Sequence, residues 1–331
     1  MPTPPSSPPA APRPPVTGPA PSQAELRSRL HGLPGVDAVG LEQRASGLAT
    51  RSIKTTAKAY ALDLAISMVD LTTLEGSDTA GKVRALCAKA ARPDPGDPTT
   101  PHTAAVCVYP DLAATAKEAL AAAGAPQVEV AAVATAFPSG RASLRVKIAD
   151  AEDAVAAGAD EVDMVIDRGA FLSGDYLKVH EEIRAVKEAC AAGPGGGARL
   201  KVIFENAELA TYDNIRRASW LAMEAGADFI KTSTGKVGGA ATLPATLLML
   251  EAVRGYHAAT GTRVGVKPAG GIRAAKDALR YLVVVNEAAG PEWLTPDWFR
   301  FGASGLLGDL LMQRHKLATG AYSGAAYVTV D

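Results

Sequence analysis

Two stretches decide the fold: Ala156-Ala157-Gly158-Ala159-Asp160-Glu161-Val162 and Glu224-Ala225-Gly226-Ala227-Asp228-Phe229-Ile230. Each comes out of alanine-rich sequence with apolar residues at three- and four-residue spacing, stops at a glycine, and passes at once into a short apolar run. A helix that ends on glycine and turns directly into a strand gives this pattern. Outward from these two copies, short apolar runs recur at 67–71, 104–109, 128–135, 161–166, 200–204, 228–232, 264–267 and 299–302. Helical patterns such as 153–158 and 214–225 lie between them. Eight strands, each followed by a helix, is the count of a (β/α)8 barrel. An open, doubly wound sheet competes, but it rarely needs eight such units, and no GxGxxG follows the first strand. The expected fold is α/β, a TIM barrel over residues 67–318.

The flanks read differently. Helical spacing at 22–30 and 50–66 predicts an N-terminal helical extension over 22–66. Residues 1–21 are dominated by Pro, Ala and Ser and carry too little apolar surface to offset the entropy of ordering them, so they are expected to be disordered. They lack the basic start and continuous apolar core of a secretory signal, and the arginine content of a transit peptide. Residues 319–331 are expected to form a mobile C-terminal tail.

The 331-residue chain is 47% hydrophobic and 21% charged, with a net charge of −1. No basic excess points to nucleic acid, and no long uncharged apolar span points to a membrane. Cys87, Cys107 and Cys190 are scattered, odd in number and without a CxxC pair. That argues against a disulfide framework and for a reducing, cytoplasmic setting. The expected partners are small molecules, and a homodimer is left open.

In a barrel the chemistry lies at the carboxyl ends of the strands. Asp70, Thr72, Cys107, Asp163, Lys231, Lys267 and Ser304 occupy such positions, together with the glycines that follow. The two lysines carry most of the information. Lys231 ends Asp-Phe-Ile-Lys and opens into Thr-Ser-Thr-Gly-Lys, and Lys267 ends Val-Gly-Val-Lys and opens into Pro-Ala-Gly-Gly. Strands buried on both faces normally exclude lysine. Two such lysines facing one cavity give a desolvated amine beside a second cation, hence a lowered pKa and a nucleophile at neutral pH. Strand alternation sets Asp163 on one face with Glu161 and Val165, and Lys231 on one face with Phe229 and Ser233. If both faces point inward, an acid joins the two amines to make a Schiff-base site.

Gly235, Lys236, Gly270, Gly271, Arg273, Gly302 and Ser304 follow strands six, seven and eight. Exposed backbone N–H groups and a helix N-terminus at these loops often hold phosphate, and Lys236 and Arg273 add positive charge. A metal-dependent mechanism would need clustered histidines, but His31, His102, His180, His257 and His315 are dispersed. Neither a metal nor a cofactor is therefore expected. A phosphosugar isomerase, or a non-catalytic binding protein on the same scaffold, would keep the glycines without needing two cavity lysines.

From Asp70–Leu74 (Asp-Leu-Thr-Thr-Leu) to 301–304 (Phe-Gly-Ala-Ser), the chain resembles the class I deoxyribose-phosphate aldolases. The resemblance runs through 106–110, 137–140, 160–165, Lys-Thr-Ser-Thr-Gly-Lys at 231–236 and Lys-Pro-Ala-Gly-Gly-Ile-Arg at 267–273. It implies that Lys231 forms the Schiff base, Lys267 lowers its pKa, and Asp163 takes part in proton transfer through water. It also implies reversible cleavage of 2-deoxy-D-ribose 5-phosphate to acetaldehyde and D-glyceraldehyde 3-phosphate, in deoxyribonucleoside catabolism. The chain departs from the family pattern at Gly305, where a second hydroxyl residue is common, and at Glu205-Asn206-Ala207. The family's mobile tail often bears a tyrosine that assists proton transfer. Tyr322 and Tyr327 are the two candidates here.

Overall fold

In the computed structural model, residues 10–193, 197–321 and 324 are described. Among the described residues, three helices precede the barrel: α1 (Gln23–His31), α2 (Ala38–Ala49) and α3 (Thr55–Ser67). Ser22 caps α1 reciprocally: its hydroxyl accepts from the Glu25 N–H, and the Glu25 carboxylate accepts from the Ser22 N–H at 2.7 Å. The helix α2 has no counterpart in the sequence reading, because Gly40 and Gly47 interrupt its pattern.

The chain then alternates as expected. The first half of the barrel runs β1 (Asp70–Thr72), α4 (Ala80–Ala91), β2 (Ala105–Val108), α5 (Ala113–Ala122), β3 (Glu129–Ala134), α6 (Leu144–Ala156) and β4 (Glu161–Val165). Next come α7 (Arg168–Leu172), α8 (Tyr176–Ala191), β5 (Arg199–Ile203), α9 (Asn206–Leu209) and α10 (Tyr212–Glu224). The second half ends with β6 (Phe229–Lys231), α11 (Leu243–Thr260), β7 (Gly265–Lys267), α12 (Ala275–Ala288) and α13 (Ser304–Thr319).

The seven strands among the described residues are parallel and in sequence order. Residues 299–302 supply the eighth position through bridges rather than a full ladder: Phe299 to Val266, Gly302 to Ala269, and Phe301 to Val69. The Asp70 N–H donates to the Phe301 carbonyl at 2.9 Å, and the Phe301 N–H to the Met68 carbonyl at 2.8 Å, which closes the barrel. Side chains alternate as a strand period of two requires. On β3, Val130, Ala132 and Ala134 pack outward under the helices, while Ala131 and Val133 meet Cys107 inside. Gly265 leaves room for the Phe229 ring, which stands 2.3 Å from where a Cβ would lie.

Register then places the polar interior. Asp163 on β4 lies opposite Lys201 on β5, and Lys231 on β6 lies opposite Lys267 on β7.

Residues 1–9, Tyr322 and Tyr327 lie outside the described residues. Residues 10–21 contain neither helix nor strand, yet disorder does not describe them. The Ala10 N–H donates to Asp297 Oδ1 at 2.9 Å, and the Arg13 N–H to Asp228 Oδ1 at 2.6 Å. The Arg13 guanidinium reaches the Ala227 carbonyl at 2.5 Å. Polar docking at the amino ends of the strands supplies what the segment's small apolar content does not.

Candidate active site

Side chains from the middle of β4 and β5 and from the carboxyl ends of β6 and β7 converge on one carboxylate. Asp163 Oδ2 lies 2.7 Å from Lys231 Nζ and 3.1 Å from Lys267 Nζ, and Asp163 Oδ1 lies 2.8 Å from Lys201 Nζ. Asp70 Oδ2, from β1, stands 2.5 Å from Lys267 Nζ. All five groups are buried. A second ionic layer lies beneath them. Arg300 donates to Asp70 Oδ1 at 2.8 Å, to Glu129 at 2.8 Å and to Glu161 at 3.2 Å. Arg199 pairs with Glu129 and with Glu161, and Lys201 pairs with Glu161. Each buried charge therefore has an opposite partner, the condition under which such charges are tolerated.

The electrostatics separate the two motif lysines. Burial lowers the pKa of Lys231, and the Lys267 cation adds to the effect, against the opposing Asp163 carboxylate. Burial acts on Lys267 in the same direction, but Asp163 and Asp70 together outweigh it and raise its pKa. Lys267 thus holds its proton while Lys231 is the more easily freed amine. Burial of Asp163 would raise its pKa, but Lys201, Lys231 and Lys267 hold the carboxyl far below its ordinary range. The Cys107 thiol is pushed up, by burial first and then by Asp163. It packs with Leu74, Ala131 and Val133 and bounds the apolar side of the cavity.

The loops after β6, β7 and the eighth position surround this centre. Gly235, Gly270 and Gly271 take positive φ of 79°, 79° and 77°, so these turns depend on glycine. The Lys236 amine meets Glu75 at 2.6 Å across the mouth. Arg273 is exposed.

Three details amend the expected phosphate donors. The Gly270 N–H donates to the Gly302 carbonyl at 3.1 Å, and the Gly302 N–H to the Pro268 carbonyl at 2.9 Å. Both amides are spent on closing the barrel. The Ser304 hydroxyl accepts from the Thr72 N–H at 2.7 Å and donates to the Thr72 carbonyl at 2.8 Å, so it ties β1 to the start of α13. The Leu306 N–H of the first turn of α13 donates to the Ala303 carbonyl at 3.2 Å, which leaves the Ser304 and Gly305 amides as the donors at this loop. A groove of about 720 Å³ lined by Arg51, Lys58, Lys276 and Arg280 lies on the helical flank, away from Lys231 and Lys267.

The sequence reading missed Lys201 and Arg300. Lys201 sits in Leu-Lys-Val-Ile-Phe, the same kind of apolar run that drew attention to Lys231, but no glycine turn follows it.

Known proteins resemble this chain in sequence and in fold. The model for "DeoC/LacD family aldolase" matches residues 64–312. The deoxyribose-phosphate aldolase of Mus musculus is 45% identical over 287 residues, covering 84% of this chain and 88% of the mouse protein. The Homo sapiens deoxyribose-phosphate aldolase is 44% identical over the same shares. A crystal structure from Coccidioides immitis, provisionally described as a deoxyribose-phosphate aldolase, superposes with a TM-score of 0.62 at 29% identity. That match covers 85% of this chain and 99% of the fungal one.

Proposed function

The chain belongs to the DeoC/LacD family of aldolases, and on that premise we propose that it reversibly cleaves 2-deoxy-D-ribose 5-phosphate to acetaldehyde and D-glyceraldehyde 3-phosphate through a Schiff base on Lys231. The observation that carries the assignment of Lys231 is its carboxylate pairing among the described residues: Lys231 has Asp163, whereas Lys267 has both Asp163 and Asp70.

The free amine of Lys231 adds to C1 of the open-chain sugar, and the carbinolamine loses water to give the iminium. A base takes the proton from the C3 hydroxyl. The C2–C3 bond then breaks, its electron pair flows into the iminium to form an enamine, and D-glyceraldehyde 3-phosphate leaves. Protonation of the enamine at C2 and hydrolysis of the resulting iminium release acetaldehyde and restore the amine. Lys267 stays protonated beside Lys231 and disfavours its charged form. Asp163, held ionised, moves protons through water between the amine and the reacting hydroxyls. Neither a metal nor a cofactor enters these steps.

The phosphate is assigned to the loops after β6, β7 and the eighth position. Its donors are the Gly235 and Gly271 turns, the Lys236 and Arg273 cations, and the first amides of α13 at Ser304 and Gly305. Asp70 and Thr72 on β1 and Cys107 on β2 are assigned to the remainder of the substrate site. A cytoplasmic setting is supported by three cysteines that are buried and unpaired, and no helix among the described residues is long and apolar enough to cross a membrane. The homodimer is a proposal for sedimentation equilibrium to decide. The assignment of activity is tested by release of acetaldehyde from 2-deoxy-D-ribose 5-phosphate by the purified chain, and absence of release would refute it.

A further inference from the structure

The turn after β6 is gripped by a residue to which the reaction above gives no part. Glu205, two residues beyond the end of β5, adopts the left-handed conformation at φ 57° and ψ 66°. A residue with a side chain seldom takes that region, and such outliers gather at functional sites. Backbone pairing with β6 continues on either side of it. The Phe204 N–H donates to the Lys231 carbonyl at 3.1 Å, and the Asn206 N–H to the Thr232 carbonyl at 2.9 Å.

The reversal sends the Glu205 side chain across the top of β6. There Oε2 accepts from the Thr234 N–H at 3.0 Å and from the Thr234 hydroxyl. The Thr234 oxygen in turn accepts from the Lys236 N–H at 3.1 Å. The carboxylate is fully buried, and Arg168 Nη1 lies 3.7 Å behind it. Arg168 is itself anchored, through Nη2 to the Ser139 carbonyl at 3.0 Å and through Nε to Glu208 at 2.9 Å. From the other side, β7 holds the same turn: the Ala269 N–H donates to the Thr232 hydroxyl at 2.9 Å. A carboxylate buried this deeply repays its desolvation only through the groups it holds, and what Glu205 holds is the segment joining Lys231 to Lys236.

We propose that Glu205, backed by Arg168, is a positioning residue that fixes the 232–236 turn, and so sets the span between the amine of Lys231 and the cation of Lys236. This rests on the reading of Lys231 as the Schiff-base amine and Lys236 as a phosphate contact. The consequence is specificity. Phosphate binding helps catalysis only if the phosphate contact and the amine are held at a fixed separation. Free 2-deoxyribose, which has no phosphate to place, is indifferent to that separation.

The test measures kcat and KM for the full-length chain, Glu205→Ala, Glu205→Gln and Thr234→Val on the phosphorylated and the free sugar. Acetaldehyde with borohydride is applied in parallel. Glu205→Ala is expected to lower kcat/KM on the phosphorylated sugar by at least about tenfold, the effect of losing a hydrogen-bonded buried charge, with little change on the free sugar. Thr234→Val should behave alike, and Glu205→Gln, which keeps one acceptor oxygen, should fall between. Equal losses on both substrates, or no loss on either, would overturn the proposal. Should Glu205→Ala fail to fold, the Gln and Val variants decide by the same criterion. If the unaltered chain is not trapped, the Schiff-base reading fails and this proposal goes with it. If it is trapped and the variants do not discriminate, only the role of Glu205 is lost.

Discussion

Replacing Lys267 with leucine removes the cation that keeps Lys231 reactive while leaving Lys231 in place. Both amines contact the same oxygen of Asp163, at 2.7 Å and 3.1 Å, so the two nitrogens stand no more than roughly 5.8 Å apart. At an effective dielectric of about 20, two unit charges at that separation repel by about 3 kcal/mol. That is roughly a hundredfold in the balance between the charged and free forms of Lys231. The variant also strips Asp70 and Asp163 of a counter-ion, which leaves more uncompensated negative charge near Lys231 and acts in the same direction. The sign is therefore fixed: the charged form gains, the free amine becomes scarcer at neutral pH, and the rising limb of the rate profile moves to higher pH. The assay is kcat/KM for cleavage of 2-deoxy-D-ribose 5-phosphate from pH 6 to pH 10, on Lys267→Leu and on Lys267→Arg. The arginine variant keeps the charge and should keep the profile. A leucine variant with full activity and an unshifted profile would refute the reasoning.

The other predictions concern the phosphate, the N-terminal segment and acid stability. Lys236→Ala should harm turnover of the phosphorylated sugar far more than that of free 2-deoxyribose, by about tenfold or more. Equal loss on both would return Lys236 to support of the Lys231 turn. Deleting residues 1–20 should lower the melting temperature by the equivalent of about 1–3 kcal/mol, since the Arg13 contacts are lost. It should leave kcat near that of the full chain, because those contacts lie at the opposite end of the strands from Lys231, and a large fall in kcat would contradict this. Burial, then Arg184 and Arg29, lowers the pKa of His180 to about 4. The unfolded chain therefore binds this proton first as pH falls from about 6.5 towards 4, and stability declines through that window. His180→Leu should show a smaller decline in urea midpoints between pH 7 and pH 4.5, and an identical decline would exclude His180 as a contributor.

What the sequence revealed and what it withheld follow from the range of the interactions concerned. The α-to-β steps at Gly158 and Gly226 are local, and both match the structure, with α6 ending at Ala156 and α10 at Glu224. Strand alternation brought Asp163 and Lys231 to one cavity because a period of two survives in any sheet. The helix α2 was not legible, since its two glycines mask the pattern. Long-range pairing was not legible either. The amides of Gly270 and Gly302 look free in sequence but are consumed by barrel closure, and the Ser304 hydroxyl is committed to Thr72. The choice between the two lysines turns on Asp70, some 200 residues from Lys267 in sequence but 2.5 Å away in space. Arg13 shows the limit of composition, since a few hydrogen bonds at a barrel end hold a segment that apolar content alone would leave loose.

Lys231 bears the covalent intermediate in this mechanism, and peptide mass spectrometry of the borohydride-reduced acetaldehyde adduct locates the modified residue. One modified peptide is expected, carrying the added two-carbon group on Lys231, with no modification in Lys231→Ala. Labelling of Lys267 in the unaltered chain, or labelling that persists in Lys231→Ala, would contradict it.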